Sequence, residues 1–197
     1  GDVNTGKTTF SFSFLIYLLE IEEMDPQKIS LIDFGPDAVF KNGVKIGGNV
    51  QGILSQTTEL NSTTLQKFEK IKWYKPQKDQ KIRTPRSTGK NAQQVIELCC
   101  ENFQISNQLL NNYAKNPTPF IIINDVSIFL HVGGFRNLLK TLKGCKTILL
   151  NAYDGEKLIG DKGSYISSRE KTLNSLLKKR FYSFSTSQIF NLDKLSY

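Results

Sequence analysis

Along the chain, long stretches with helical spacing alternate with short unbroken apolar runs. Residues 9–23 (TFSFSFLIYLLEIEE) are apolar nearly all round until Met24-Asp25-Pro26 halts them, which predicts a buried helix. Lys28 to Asp33 (KISLID) predicts a short buried strand that ends in a carboxylate. Asn42-Gly43 is a hairpin-turn signal between 38–41 and 44–46. Residues 49–60 show no clear period. Thr63 to Lys72 reads as a short helix with Gln66 completing a capping box to Thr63, and 74–90 reads as loop. Asn91 to Lys115 is the clearest long helix, with Ala92, Val95, Ile96, Cys99, Cys100, Phe103, Leu110 and Tyr113 on or near one stripe. Phe120–Ile123 predicts a buried strand running into Asn124-Asp125. A helix from Phe135 to Lys143, a strand from Cys145 to Leu150 and a helix from Ser167 or Ser168 to Arg180 follow. Residues 181–192 alternate enough for a final strand or two.

Apolar strands alternating with helices predict an α/β fold: a mostly parallel sheet flanked by helices, one domain over 1–197 with a basic insertion or loop at about 60–90. No stretch approaches the ~20 apolar residues of a membrane span. The odd cysteine count (Cys99, Cys100, Cys145), without metal-ligand spacing, suggests a reducing intracellular, cytoplasmic setting. His131 is the only histidine, which argues against a zinc site or a histidine-based triad.

Ligands of parallel sheets gather at the strands' C-terminal ends, so the polar residues there carry the chemistry. Gly1-Asp2-Val3-Asn4-Thr5-Gly6-Lys7-Thr8 completes the G-x-x-x-x-G-K-[ST] pattern of a phosphate-binding loop, and Thr9 continues it into the first helix. Backbone N–H groups of such a loop cradle phosphate oxygens, Lys7 reaches the β- and γ-phosphates, and the Thr8 hydroxyl ligates Mg²⁺. A loop of this kind hangs on the end of a strand, and that strand is expected upstream of Gly1. Asp33 and Asp125, each closing an apolar run, are candidates to hold Mg²⁺ or to position a nucleophile. Asp33 is the better candidate for activating water or substrate, and Asp125 its rival on the metal side. Asn151-Ala152-Tyr153-Asp154 is similar to a guanine-reading N-K-x-D with the lysine replaced, so Asn151 is a candidate to border a base without deciding between ATP and GTP.

Charge changes the picture at one place. Between Lys67 and Lys90 nine basic residues face only Glu69 and Asp79, so this window holds +7 of the chain's +8. It reads either as a solvated Lys-rich loop or as a footprint for a polyanion such as RNA or DNA, with Trp73 and Tyr74 placed to stack on bases. Arg83, Arg86 and Lys90 are its candidate phosphate contacts.

The loop GDVNTGKTT, the strand ending Asp33-Phe34-Gly35-Pro36, and Pro119 to Asp125 before a glycine-containing loop and a Leu-Leu helix together resemble the SIMIBI class of P-loop NTPases. Within that class the layout is similar to the polynucleotide 5′-hydroxyl kinase family of RNA-processing enzymes. That family carries D-x-D-x-G-Q and N-T-x-G-W motifs. Here the segment 33–37 lacks the Gln and shifts the Gly, and 124–127 keeps the Asn without Thr or Gly-Trp. The resemblance implies a P-loop NTPase fold and Mg-dependent binding of ATP or GTP. It also implies a homodimer as one arrangement, since relatives of this class often pair across the nucleotide. Three activities stand open: an ATPase or GTPase, a kinase passing the γ-phosphate to a polynucleotide 5′-hydroxyl, or a non-catalytic nucleotide-binding subunit.

Overall fold

The computed structural model describes residues 2–41, 43–58, 60–158, 160–183, 188–189 and 192. Gly1, Asn42 and most of 184–197 lie outside the described residues. The expectations for Gly1 in the phosphate loop and for Asn42 in the hairpin turn fall there.

The chain opens with helix α1 (Lys7–Glu20), then a single 3₁₀ turn and strand β1 (Ile29–Asp33). An antiparallel hairpin follows, β2 (Val39–Lys41) and β3 (Val44–Ile46), with Gly43 at φ 75° in its turn. Next come α2 (Val50–Gln56), α3 (Ser62–Glu69), β4 (Lys72–Tyr74), the single turn α4 (Pro85–Thr88) and the long α5 (Ala92–Lys115). The chain continues through β5 (Phe120–Asn124), α6 (Val126–Leu130), α7 (Phe135–Thr141), β6 (Thr147–Leu150) and α8 (Ile166–Tyr182). The main sheet has the order β4-β1-β5-β6, and all three pairings are parallel.

The apolar run of β5, and that of β1 broken only by Ser30, arise because both faces of this sheet are covered. Side chains alternate across the sheet. Ile29, Leu31 and Ile122 therefore join Phe12, Leu15 and Leu19 of α1 in one core, while Ile32, Ile121 and Ile123 join Leu110 and Tyr113 of α5 and Phe129 of α6 in the other. Leu31, paired in register with Ile122, is fully buried. Truncating either to Ala costs about 2–5 kcal/mol. One polar pair interrupts the α5 face, where the Thr118 hydroxyl donates to Ser30 Oγ at 2.8 Å.

Several elements differ from their sequence expectations. The first helix is an outer-layer helix that buries only the stripe Ser11, Phe12, Leu15, Leu18 and Leu19, leaving Tyr17 43% and Ile21 69% exposed. Asn61, not Thr63, caps α3, accepting from the Thr64 amide, and the helix ends at Glu69. Lys72–Tyr74 then form strand β4 beside β1. Trp73 and Tyr74 therefore belong to the sheet, with rings edge-on to Phe68 and Tyr113. Both are half-buried, and the Lys75 ammonium lies 4.1 Å from the centre of the Trp73 ring. Residues 50–56, which lacked a clear period, form α2, capped by the Asn49 side chain. Phe181 and Tyr182 continue α8 instead of starting a strand, and the described residues of 183–192 include none in a strand. No described helix is long and apolar enough to cross a membrane. Cys99, Cys100 and Cys145 are free thiols, and the Cys145 sulfur sits 2.8 Å from the Tyr113 hydroxyl.

Candidate functional site

The C-terminal ends of β1, β5 and β6, together with the start of α1, surround a cavity of about 500 Å³. One wall is the segment 3–9. It enters α1 through Gly6, whose φ of 76° is a left-handed conformation that favours glycine. Gly6, the N-cap of this helix, makes no side-chain cap hydrogen bond. The Lys7 ammonium folds back onto the Asp2 carbonyl and lies 5.8 Å from the centre of the Tyr153 ring. Asp2 in turn accepts from the amides of Val3, Glu156 and Lys157, which closes the loop against the segment after β6. That approach needs a glycine at 155, where a Cβ would lie 2.4 Å from the Asp2 carboxyl carbon. The Thr8 hydroxyl borders the cavity and donates to the Gly48 carbonyl at 3.3 Å.

The two candidate aspartates are placed differently. Asp33 does not line the cavity. Its Oδ1 accepts from Gly35 N at 3.0 Å and from Asn124 Nδ2 at 2.8 Å, and its Oδ2 from Val50 N at 2.7 Å. Burial pushes it up to about 6 against the pull of those three donors. These bonds use the carboxylate to tie β1 to β5 and to the start of α2. The expectation that it activates water or holds a metal does not fit this placement.

Asp125 does line the cavity. It follows β5 in a left-handed conformation, φ 56° and ψ 59°, which turns the chain from the strand into α6. Among the described residues its Oδ1 is sealed from solvent without a hydrogen-bond partner. Burial pushes this carboxyl up to about 6. Lys7, His131 and Arg86 draw it down, and Glu170 adds to the rise. An unpaired buried carboxylate is costly, and such groups concentrate at functional sites.

Asn151 stands between these parts. Its Oδ1 accepts from the Asp125 amide at 2.8 Å, and its Nδ2 donates to Asn124 Oδ1, Ser11 Oγ and the Lys7 carbonyl. The amide therefore fixes the start of α1 to the end of β5. Tyr153 is buried: its hydroxyl accepts from Leu158 N and its carbonyl from Asn174 Nδ2, while Asp154 pairs with Lys178.

Of the three basic candidates, the structure brings only Arg86 to the cavity. Arg83 is exposed, its backbone held by Asn102, and Lys90 is exposed at the start of α5. Arg86 enters on α4, where Nη1 donates to Glu170 Oε2 at 2.6 Å and the guanidinium carbon lies 5.0 Å from the centre of the Tyr153 ring. Glu170 Oε1 is 3.5 Å from His131 Nε2. Despite burial, which pushes its pKa up, His131 and Arg86 hold the Glu170 carboxyl below its usual value. Sequence reasoning missed Glu170 and set His131 aside. The signal was the buried stripe of α8, Ile166, Glu170, Asn174 and Leu177, where two polar residues sit at core spacing.

Among the described residues no group of three or more His, Cys, Asp or Glu is placed to hold a metal ion. Mg²⁺ does not need such a group, since it usually binds one or two protein oxygens, waters and substrate phosphates. Among the residues lining the cavity, Thr8 and Asp125 carry hard oxygen donors that fit that chemistry. Comparisons of the chain with protein-family models, curated proteins and solved structures find no match.

Proposed function

We propose that the chain binds a nucleoside triphosphate with Mg²⁺ in the cavity and hydrolyses it, residues 1–9 acting as a P-loop. The observation that supports this most is the pairing, across one cavity, of Val3 to Thr8 of the G-x-x-x-x-G-K-T pattern with Asp125, a buried carboxylate with an oxygen that has no hydrogen-bond partner among the described residues. The α1 N-terminus presents the positive end of the helix dipole, a ready site for phosphate. Lys7 exchanges its contact with the Asp2 carbonyl for phosphate oxygen. Thr8 and Asp125 hold the cation, which when bound neutralises charge on the β- and γ-phosphates. Asp125, once ionised, also accepts a hydrogen bond from water and orients it. Tyr153 walls the site, and Asn151 keeps the loop and Asp125 in register. The fold is shared by switches, kinases and binding subunits, so the reading rests on the site and not on the sheet.

The test is incubation with γ-labelled ATP and GTP plus Mg²⁺, for the natural chain and Lys7→Ala. The expected result is free labelled phosphate, reduced about 10²–10³-fold in Lys7→Ala. Unchanged affinity and rate in Lys7→Ala would overturn the P-loop assignment. Label appearing on an added oligonucleotide would move the reading from hydrolase to phosphotransferase. Tight retention of nucleotide without turnover would move it to a binding subunit.

A further inference from the structure

Arg86, Glu170 and His131 come from α4, α8 and the turn after α6, and all three line the cavity. Each is less than a tenth exposed. Glu170 Oε2 takes Arg86 Nη1 at 2.6 Å, and Ser167, one turn earlier on α8, accepts from the same Nη1 at 3.4 Å. The other Glu170 oxygen faces the His131 ring. Glu170 Oε2 therefore fixes the guanidinium at one corner of its fork, while Oε1, 3.5 Å from His131 Nε2, is buried without a hydrogen-bond partner among the described residues. A guanidinium has five N–H donors. Arg86 Nε and Nη2 make no hydrogen bond to any described residue. Lys7 and Arg86 also lie near one ring, that of Tyr153. Two cations thus border the same part of the cavity, one from the N-terminal segment and one from α4.

A buried ion pair contributes little net stability compared with apolar residues of the same volume. Its position in a cavity wall, with donors to spare, points to another use. We propose that Glu170 is a positioning residue: it holds Arg86 so that the remaining guanidinium donors meet the terminal phosphates of a nucleotide lying along the start of α1. The proposal rests on the nucleotide reading above. It makes α8 part of the site and gives Arg86 a phosphate-counting role, so that a triphosphate is bound in preference to a monophosphate.

The experiment is fluorescence titration of the full chain with labelled ATP and, separately, labelled AMP. The proteins are the natural chain, Arg86→Ala, Glu170→Ala, the isosteric Glu170→Gln and the double variant Arg86→Ala/Glu170→Ala. Arg86→Ala is expected to lose roughly tenfold or more in ATP affinity with AMP affinity unchanged, as for one charge-assisted contact. Glu170→Ala should reproduce that loss of ATP-over-AMP preference, and the double variant should be no weaker than Arg86→Ala alone. Glu170→Gln keeps the shape without the charge, and carries the test if the alanine variant does not fold. An equal loss for ATP and AMP, additive losses in the double variant, or a lowered melting temperature with the preference intact would overturn the positioning role. Failure of the natural chain to bind either nucleotide would overturn the nucleotide reading itself, and this inference with it.

Discussion

β1 ends in Asp33, whose register partner on β5 is Asn124, and Asp125 follows one residue later. Two adjacent parallel strands thus deliver two carboxylates to nearly the same level of the sheet. Both are buried and both are pushed up to about 6 by that burial. Their surroundings nevertheless oppose each other. Asp33 has three N–H donors and does not line the cavity, whereas Asp125 lines it and has an oxygen with no hydrogen-bond partner among the described residues. A shared pKa direction therefore does not identify a site. What separates a structural carboxylate from a candidate functional one is whether its hydrogen bonds are already made within the fold.

The largest expected effect is on turnover. Asp125→Asn should lower phosphate release about 10²–10⁴-fold at saturating Mg-nucleotide, the usual range for a positioned acid–base group. A variant with the natural rate would break the comparison from the functional side. The next effect is on stability and falls on the other residue. Asp33→Ala strands the amides of Gly35 and Val50 and the Asn124 side chain without an acceptor. That should cost about 3–5 kcal/mol, or roughly 10 °C in a thermal melt. A melt within a degree or two of the natural chain would show that these bonds do not hold the sheet ends together.

Stability and activity should move in opposite directions at Asp125. The native state protonates this carboxyl at about 6, against an ordinary value of 3.8, so between those values it binds more protons than the unfolded chain. Stability from this group is present in full below about pH 4 and is lost as pH rises through 6. Asp125→Asn removes the buried charge and keeps a residue type tolerated in the left-handed conformation. It should gain about 1–3 kcal/mol at pH 7, and the gain over the natural chain should shrink as pH falls from 6 to 4 in denaturant titrations. The rate should show the mirror image, declining below about pH 6 as the carboxylate takes up its proton. A gain that stays flat with pH would sever the link between burial and titration.

The smallest expected effects are at Arg83 and Lys90. Both are exposed and away from the cavity, so their alanine variants should stay within about 0.5 kcal/mol in stability and leave nucleotide affinity unchanged. A tenfold loss of ATP affinity in either would show that exposed cations of the basic segment reach the nucleotide as well.

Much of the sheet was legible because burial on both faces leaves a direct mark. Residues 120–123 are an unbroken apolar run and residues 29–32 are apolar except for Ser30, which is what a covered parallel strand requires. The hairpin and α5 were legible for similarly local reasons: a turn dipeptide and a long periodic stripe capped by Asn91. β4 was not, because three residues carry too little periodicity to separate a strand from the end of a helix. α6 was missed because Val126–Leu130 is buried throughout and so has no polar face to reveal its period.

By itself the sequence determined the alternation of strands and helices, the glycine-rich segment ahead of α1, and the two strand-end carboxylates as candidates. These depend on neighbours within a few residues, where periodicity and turn chemistry act. Only the tertiary structure decided which carboxylate has an oxygen with no hydrogen-bond partner among the described residues, that Asn151 clasps α1 to β5, and that Arg86 meets Glu170 across 84 positions of chain. Hydrogen-bond satisfaction and the pairing of buried charge depend on which groups are brought within about 3 Å of one another. That proximity comes from packing helices on both faces of the sheet, and no local pattern records it.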